Sequence, residues 1–68
     1  MSLYAISMWD LYVGCETAAD FKQAYNKVKS DYDRGIITLV EKIEALRELH
    51  KMMRRIISLR KVGYFNAN

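Results

Sequence analysis

The residues best suited to catalysis are few and far apart in this chain. Its 68 residues include one cysteine, Cys15, and one histidine, His50. A nucleophilic cysteine needs a positioned base and a third group that orients this base, and the sequence indicates no third group. Phosphate-binding loops, paired-histidine metal motifs and the serine-hydrolase elbow are also absent from it. We therefore predict no enzyme, with Cys15 as a small junction residue and His50 in a core or an interface.

Acidic side chains in the second half of the chain are the remaining candidates for a metal or cofactor site. Glu41, Glu44 and Glu48 form a row in which the last two lie one helical turn apart. Helical carboxylates bind metals mainly together with a Glu-x-x-His motif, which is missing here. One cysteine and one distant histidine do not make a zinc site. We predict no cofactor, a solvated glutamate row, and a reducing, cytoplasmic location for the lone thiol.

A basic face is the best candidate for a binding site. The net charge of +3 arises in residues 36–68, which contain seven Lys and Arg against three Asp and Glu, whereas residues 1–35 contain four against five. Such a face is compatible with three interpretations: a solvated surface near a helix C-terminus, nucleic-acid binding, or an acidic protein or membrane partner. The candidate polyanion- or partner-binding residues are Arg47, Lys51, Arg54, Arg55 and Lys61.

The first of three segments that would position these residues is apolar on both sides. It covers residues 1–14, and we favour a helix that begins at Ser2 and ends at Gly14, with a buried strand or an irregular arm as alternatives. The sequence before Cys15 is similar to the end of a lipoprotein signal. However, no Lys or Arg precedes it and Asp10 interrupts it, which argues against lipidation. It is also too short to span a bilayer, so we do not expect a membrane partner.

The second segment predicts a helix over residues 17–34. Thr17 is a suitable N-cap, Asp20 approximates its capping partner, and Gly35 fits the position after the helix. Steps of four, three and four place several apolar side chains on one face of this helix. These residues are Phe21, Tyr25, Val28 and Tyr32.

The third segment predicts a long helix over residues 38–62, followed by a tail over 63–68. Thr38 and Glu41 form a capping-box pattern. One apolar row repeats at steps of four and three, as in a heptad, and a second row runs beside it. The first row is Leu39, Ile43, Leu46, His50, Met53 and Ile57. The second row is Leu49, Met52, Ile56 and Leu59.

The long helix carries more apolar surface than its hairpin partner covers. At 1.5 Å per residue, helices of about 24 and about 16 residues differ in length by roughly 12 Å. We expect the second helix to cover the end containing Leu39, Ile43 and Leu46. The opposite end then needs the N-terminal aromatics, a second chain or a target. The candidate dimer or partner interface is Leu49, Met53, Ile56, Ile57, Leu59 and Trp9.

One local stretch resembles a known small domain. From Tyr32 through Gly35, Ile36, Ile37 and Thr38, and over residues 32–50 as a whole, the chain is similar to the short C-terminal (SHOCT) helical-hairpin domain. The resemblance departs from the family at Leu39 and following positions, where that domain has acidic residues. It implies a small helical interaction module without chemistry of its own.

These patterns together predict an all-α domain of two or three helices with a central antiparallel hairpin and one long C-terminal helix. We expect a homodimer formed through the long helix, because a core in so short a chain rarely contributes more than about 3–5 kcal/mol. The predicted function is regulation or adaptation through an unidentified protein partner, compatible with a phage or mobile-element role. Nucleic-acid binding through the basic face is the alternative.

Overall fold

The computed structural model describes the backbone of residues 1–61 and the side chains of residues 1–58, and this part folds as three α-helices. They are α1 (Leu3–Tyr12), α2 (Ala18–Asp33) and α3 (Leu39–Lys61). The predicted all-α class and the C-terminal position of the longest helix are confirmed. The predicted helix end at Gly63 and the tail over residues 63–68 lie outside the described residues.

The N-terminal segment is a helix, so the strand and the irregular arm are excluded. Its N-cap is Ser2, whose hydroxyl accepts a hydrogen bond from the Ala5 N–H at 3.2 Å. The helix ends at Tyr12, and Gly14 lies in the following turn, where its N–H donates to the Leu11 carbonyl at 3.2 Å. The backbone of Gly14 does not have a positive φ. The helix therefore ends just before Gly14, close to the predicted stop, without a left-handed glycine.

The junction between α2 and α3 follows the predicted capping chemistry. Gly35 has a φ of 74°, and the Ile36 N–H donates to the Asp31 carbonyl at 2.9 Å. This is the Schellman arrangement, in which a left-handed glycine satisfies the last carbonyls of a helix. Thr38 then begins α3: its N–H donates to Glu41 at 2.7 Å, and its hydroxyl accepts from the Glu41 N–H at 3.2 Å. The short turn makes α2 and α3 antiparallel neighbours.

The first helix packs against both arms of the hairpin. The Tyr4 hydroxyl donates to the Asp31 carboxylate at 2.7 Å, which joins the start of α1 to the end of α2. At the other end of α1, the Tyr12 hydroxyl donates to the Ala45 carbonyl in α3 at 2.9 Å. Burial raises the pKa of Tyr12 to about 12, so this donor keeps its proton at physiological pH. The expectation that N-terminal aromatics pack on the long helix is confirmed for Tyr12.

The core lies where the three helices meet, and small residues allow the close approach. Ala24 of α2 and Ala45 of α3 are both completely buried, which brings the two helix backbones near each other. Tyr12, Leu49 and Val28 are the largest side chains that are fully buried. Six residues of α3 belong to this core or pack against it: Ala45, Leu46, Leu49, Met52, Met53 and Ile56. Four of them lie on one side of the helix and are called its core face: Ala45, Leu49, Met52 and Ile56.

We expected α2 to cover the end of α3 that contains Leu39, Ile43 and Leu46, and of these only Leu46 is half-buried and packed against the core. Leu39 is 53% exposed and Ile43 is 47% exposed, so the prediction was wrong for these two side chains. On α2, Ala24 takes the central buried position, and Tyr25 is half-exposed at the edge of that face. The reason is that α1 and α2 together pack on the Ala45 side of α3, which lies roughly a third of a turn away.

The glutamate row also has a different role from the solvated face that we expected. Glu41 caps α3 through the Thr38 N–H. Glu44 accepts a hydrogen bond from the Ser2 N–H at 3.2 Å, at the first turn of α1. Glu48 is buried, and its carboxylate lies 3.0 Å from the Lys51 ammonium. Glu48 is therefore buried instead of solvated and Glu44 bonds to the first turn of α1, whereas Glu41 makes the cap that the sequence predicted.

Candidate protein-interaction face of the long helix

The heptad row of α3 forms an apolar strip roughly a third of a turn from the core face, and its half-buried members Leu46 and Met53 also pack against the core. Ile57 is 49% exposed, similar to Leu39 and Ile43, while Leu46 and Met53 are half-buried and His50 is exposed. Residues of this row line a shallow groove that runs along the helix. We call the row the outer face of α3: Leu39, Ile43, Leu46, His50, Met53 and Ile57.

Three cations border the outer face on one side and are called the basic rim: Arg47, Lys51 and Arg54. All three are exposed. Lys51 pairs with Glu48, whereas Arg47 and Arg54 form no ion pair within the described residues. Among the described residues that line this groove there is no acidic side chain. The groove therefore combines an apolar floor with a basic rim.

The other predicted cations do not join this rim. Arg55 is exposed but does not line the groove, because one residue further along a helix is rotated by about 100°. The side chain of Lys61 lies outside the described residues. Three of the five cations that the sequence proposed are thus brought together on one side of the apolar strip.

The predicted interface residues separate into three groups. Leu49 is 1% exposed in the core and is therefore removed from the candidate interface. Ile56 belongs to the core face, although it is only partly buried. Met53 and Ile57 line the groove, as proposed. Trp9 is half-buried on α1, and the side chain of Leu59 lies outside the described residues.

The second helix forms the opposite border of the outer face. The Lys42 ammonium lies 4.4 Å from the centre of the Tyr32 ring, so a cation of α3 is held against α2. Nearer the end of α3, Phe21 shares a small cavity with Met53 and Ile57. The start of α2 therefore covers part of the C-terminal end of α3, while Ile57 remains half-exposed.

The turn between α2 and α3 adds apolar surface that the sequence analysis did not select. Ile36 is 57% exposed and Val40 is 65% exposed, close in sequence to Leu39 of the outer face. The sequence pattern that could have indicated this surface is a group of apolar residues around the Thr38 cap, Ile36, Ile37, Leu39 and Val40. Of these four, the structure buries Ile37 alone. The exposed apolar surface therefore extends from the outer face into this turn.

The two residues considered for catalysis line different surfaces. Cys15 is buried beside α2, and its thiol donates to the Leu11 carbonyl at 3.5 Å. Burial raises the pKa of this thiol, which favours the unreactive protonated form at neutral pH. His50 instead lies exposed on the outer face of α3. This arrangement gives Cys15 no imidazole base.

The described part of the chain contains neither a cluster suited to a metal ion nor a helix suited to a membrane. No cluster of three or more His, Cys, Asp or Glu side chains there is arranged to hold a metal ion. None of the three helices combines the length and the apolar character needed to cross a membrane.

Comparison with known proteins does not assign the chain to a family. No protein-family model matches it, and neither a curated protein nor a solved structure is significantly similar to it. The resemblance of residues 32–50 to the SHOCT domain therefore stays a prediction.

Proposed function

We propose that this chain is a small, non-enzymatic protein that acts by binding another protein chain through the outer face of α3. The observation that supports this proposal is the half-exposed apolar row with Ile43 at one end and Ile57 at the other. Fully burying one such side chain contributes roughly 1.5–3 kcal/mol. An apolar row at heptad spacing is the surface that helix–helix association uses.

Two kinds of occupant are compatible with this surface. The first is a second copy of the chain, which is the homodimer that the long helix suggests. The second is a helical segment of another protein, for which this chain would act as an adaptor or regulator. We place the function in the cytoplasm, since a lone cysteine such as Cys15 suits a reducing compartment.

Position-specific crosslinking tests the proposed surface. A photoreactive amino acid is placed at Ile43 or Ile57 in the full chain, in the native cells, and at Ser7 as the control. Ser7 is exposed on α1, and α1 packs on the side of α3 that contains Glu44 and Ala45, away from the outer face. We expect discrete crosslinked protein products from positions 43 and 57 that are absent from position 7. Equal or absent crosslinking at all three positions contradicts the proposal.

The same surface is tested in solution by a charge substitution. Because Ile43 and Ile57 are half-exposed in the isolated chain, Ile43→Glu with Ile57→Glu should leave the helical circular-dichroism signal in place. The same variant should remove the crosslinked products and any self-association seen by sedimentation equilibrium. A folded variant that retains its associations shows that the interface lies elsewhere.

Nucleic-acid binding is the second candidate function, supported by the exposed cations of the basic rim. Binding of this kind weakens steeply with added salt, since each phosphate contact releases counterions. Fluorescence anisotropy with a labelled duplex and a labelled single strand at low salt tests it. The absence of binding at low salt removes this candidate, whereas salt-sensitive binding that Arg47→Glu abolishes supports it.

A further inference from the structure

The charges beside the outer face of α3 distinguish between the two kinds of occupant. In the heptad defined by this row, Ile43, His50 and Ile57 take the a positions, which makes Arg47 and Arg54 e positions and Lys42 a g position. Residues at e and g flank the seam of a coiled coil and pair with the same positions on the partner. The charged side chains at these e and g positions are therefore all basic, while the other g positions, Leu49 and Ile56, belong to the core face.

A second copy would place cation against cation. In a parallel pair, Arg47 at e faces Lys42 at g of the other copy. In an antiparallel pair, Arg47 faces Arg54. Lys42, Arg47 and Arg54 form no ion pair within the described residues. Glu44 and Glu48 line a neighbouring depression with Arg47, outside the groove. Like charges at these positions disfavour pairing and select against the wrong partner.

The apolar floor distinguishes a protein partner from a nucleic acid. Between the basic rim and α2, the groove is lined by Ile43, Leu46, Met53 and Ile57. A phosphate backbone uses the cations but leaves these side chains in water, whereas an amphipathic helix uses both features. From Ile43 to Ile57 the floor extends for roughly 21 Å, which matches about four turns of a partner helix.

We propose that the occupant of the outer face is an acidic amphipathic helix of another protein, with apolar anchors at heptad spacing and carboxylates on both flanks. This inference rests on the proposed function and specifies its partner. The anchors lie on the apolar floor, the carboxylates of one flank pair with Arg47 and Arg54, and those of the other flank lie near Lys42. The chain itself is then monomeric when the partner is absent.

Two synthetic peptides of about three heptads serve as probes. Both have leucine at a and d; one has glutamate at every e and g position and the other has lysine there. Titration calorimetry with the full chain is expected to show binding of the glutamate peptide at least about tenfold tighter than of the lysine peptide. Comparable binding of both peptides, or no binding of the glutamate peptide at about 0.1 mM, overturns the inference.

Charge reversal on the protein provides the matched controls. Arg47→Glu with Arg54→Glu should lower the affinity for the glutamate peptide at least about tenfold and raise the affinity for the lysine peptide, because the flanking charges change sign. Arg55→Glu makes the same change of charge per residue on an exposed site of α3 outside the groove. It should alter either affinity less than about threefold, through long-range charge alone. An equal effect of both variants overturns the inference.

The other occupants have distinct signatures. Sedimentation equilibrium of the wild-type chain should show a monomer; a dimer that Ile43→Glu with Ile57→Glu dissociates assigns the face to a second copy. That result overturns the acidic-helix inference and leaves the proposed function intact. Tight binding of a duplex oligonucleotide that depends on Arg47 and Arg54 but not on Ile43 or Ile57 overturns both.

Discussion

The two apolar faces of α3 differ in how far α1 and α2 bury them. The core face centres on Ala45 and Leu49, which are 0% and 1% exposed. The outer face contains aliphatic side chains of similar size to Leu49, such as Ile43 and Ile57, that are about half-exposed. Side-chain size therefore does not separate the two faces except at Ala45, where a small side chain allows a neighbouring helix to approach closely.

This difference separates stability from binding on a single helix. A side chain on the core face contributes to folding because it is removed from water in the isolated chain. A side chain on the outer face is still partly exposed to water, so burying it against a partner can stabilise a complex. Substitutions on the two faces should therefore change different measurements, and the following predictions test this separation in order of decreasing effect.

The largest contrast is expected between Leu49→Ala and Ile43→Ala. Truncating a buried leucine costs about 2–5 kcal/mol through lost burial and a residual cavity. In so small a domain, this loss approaches the whole free energy of unfolding. Ile43→Ala should cost about 1 kcal/mol or less, since the side chain is already half-exposed. Urea unfolding followed by circular dichroism measures both, and equal losses contradict the separation of the two faces.

The next contrast is between the glycines of the two junctions, Gly35 between α2 and α3 and Gly14 between α1 and α2. Gly35 has a φ of 74°, so Gly35→Ala should cost roughly 1–2 kcal/mol because a side chain disfavours the left-handed conformation. Gly14→Ala should be neutral or stabilising by up to about 1 kcal/mol. An added Cβ there meets only the Leu11 carbonyl oxygen at 3.6 Å. Thermal unfolding of the two variants tests this order.

A smaller loss is expected from the polar link between α1 and α3. Tyr12→Phe removes the hydroxyl that donates to the Ala45 carbonyl at 2.9 Å, with little change in packing. A neutral hydrogen bond of this kind contributes about 1 kcal/mol. Tyr25→Phe is the matched control on the half-exposed edge of α2 and should change the free energy of unfolding by less than about 0.5 kcal/mol. Similar values for both variants would show that the Tyr12 bond adds no stability.

The smallest expected effect is a dependence of the free energy of unfolding on pH, through Asp31 where α1 meets α2. The hydrogen bond from Tyr4 to Asp31 holds the pKa of this carboxyl below its usual value, and Lys27 contributes further. A lowered folded pKa means that the stabilisation is complete above the unfolded value of about 3.9 and is lost as the pH falls through the folded pKa. Asp31→Asn should therefore lower stability at pH 7 and flatten its decline below about pH 4. The free energy of unfolding is measured by urea titration at several pH values. An equal decline below about pH 4 in the wild type and the Asp31→Asn variant contradicts this role of Asp31.

The local structure was predictable because it depends on neighbouring residues. The caps at Thr17 and Thr38 and the left-handed Gly35 follow from hydrogen-bonding patterns within a few positions. The prediction failed for Glu44 and Glu48 of the glutamate row: Glu48 is buried, and Glu44 accepts from the N–H of Ser2, which lies 42 residues away in sequence. No local pattern encodes that contact.

The candidate site shows the same division. The heptad row and the cations beside it are visible in the sequence, including Arg47, Arg54 and Ile57. Which row would be buried was not visible, because both rows of α3 are apolar and a helix period fits each of them. The assignment of Leu49 to an interface and of Leu39 to a core contact was reversed by the structure.

By itself, the sequence determined α2 and α3, the caps that begin them and two apolar rows on the longer one, since caps and periodicity act over a few residues. Only the tertiary structure decided which row faces water. Ala24 and Ala45 let the helix backbones approach, and the docking of α1 through Tyr12 and Glu44 selects the rotation of α3. That rotation leaves Ile43, Met53 and Ile57 beside Arg47 and Arg54 on the open side of the bundle.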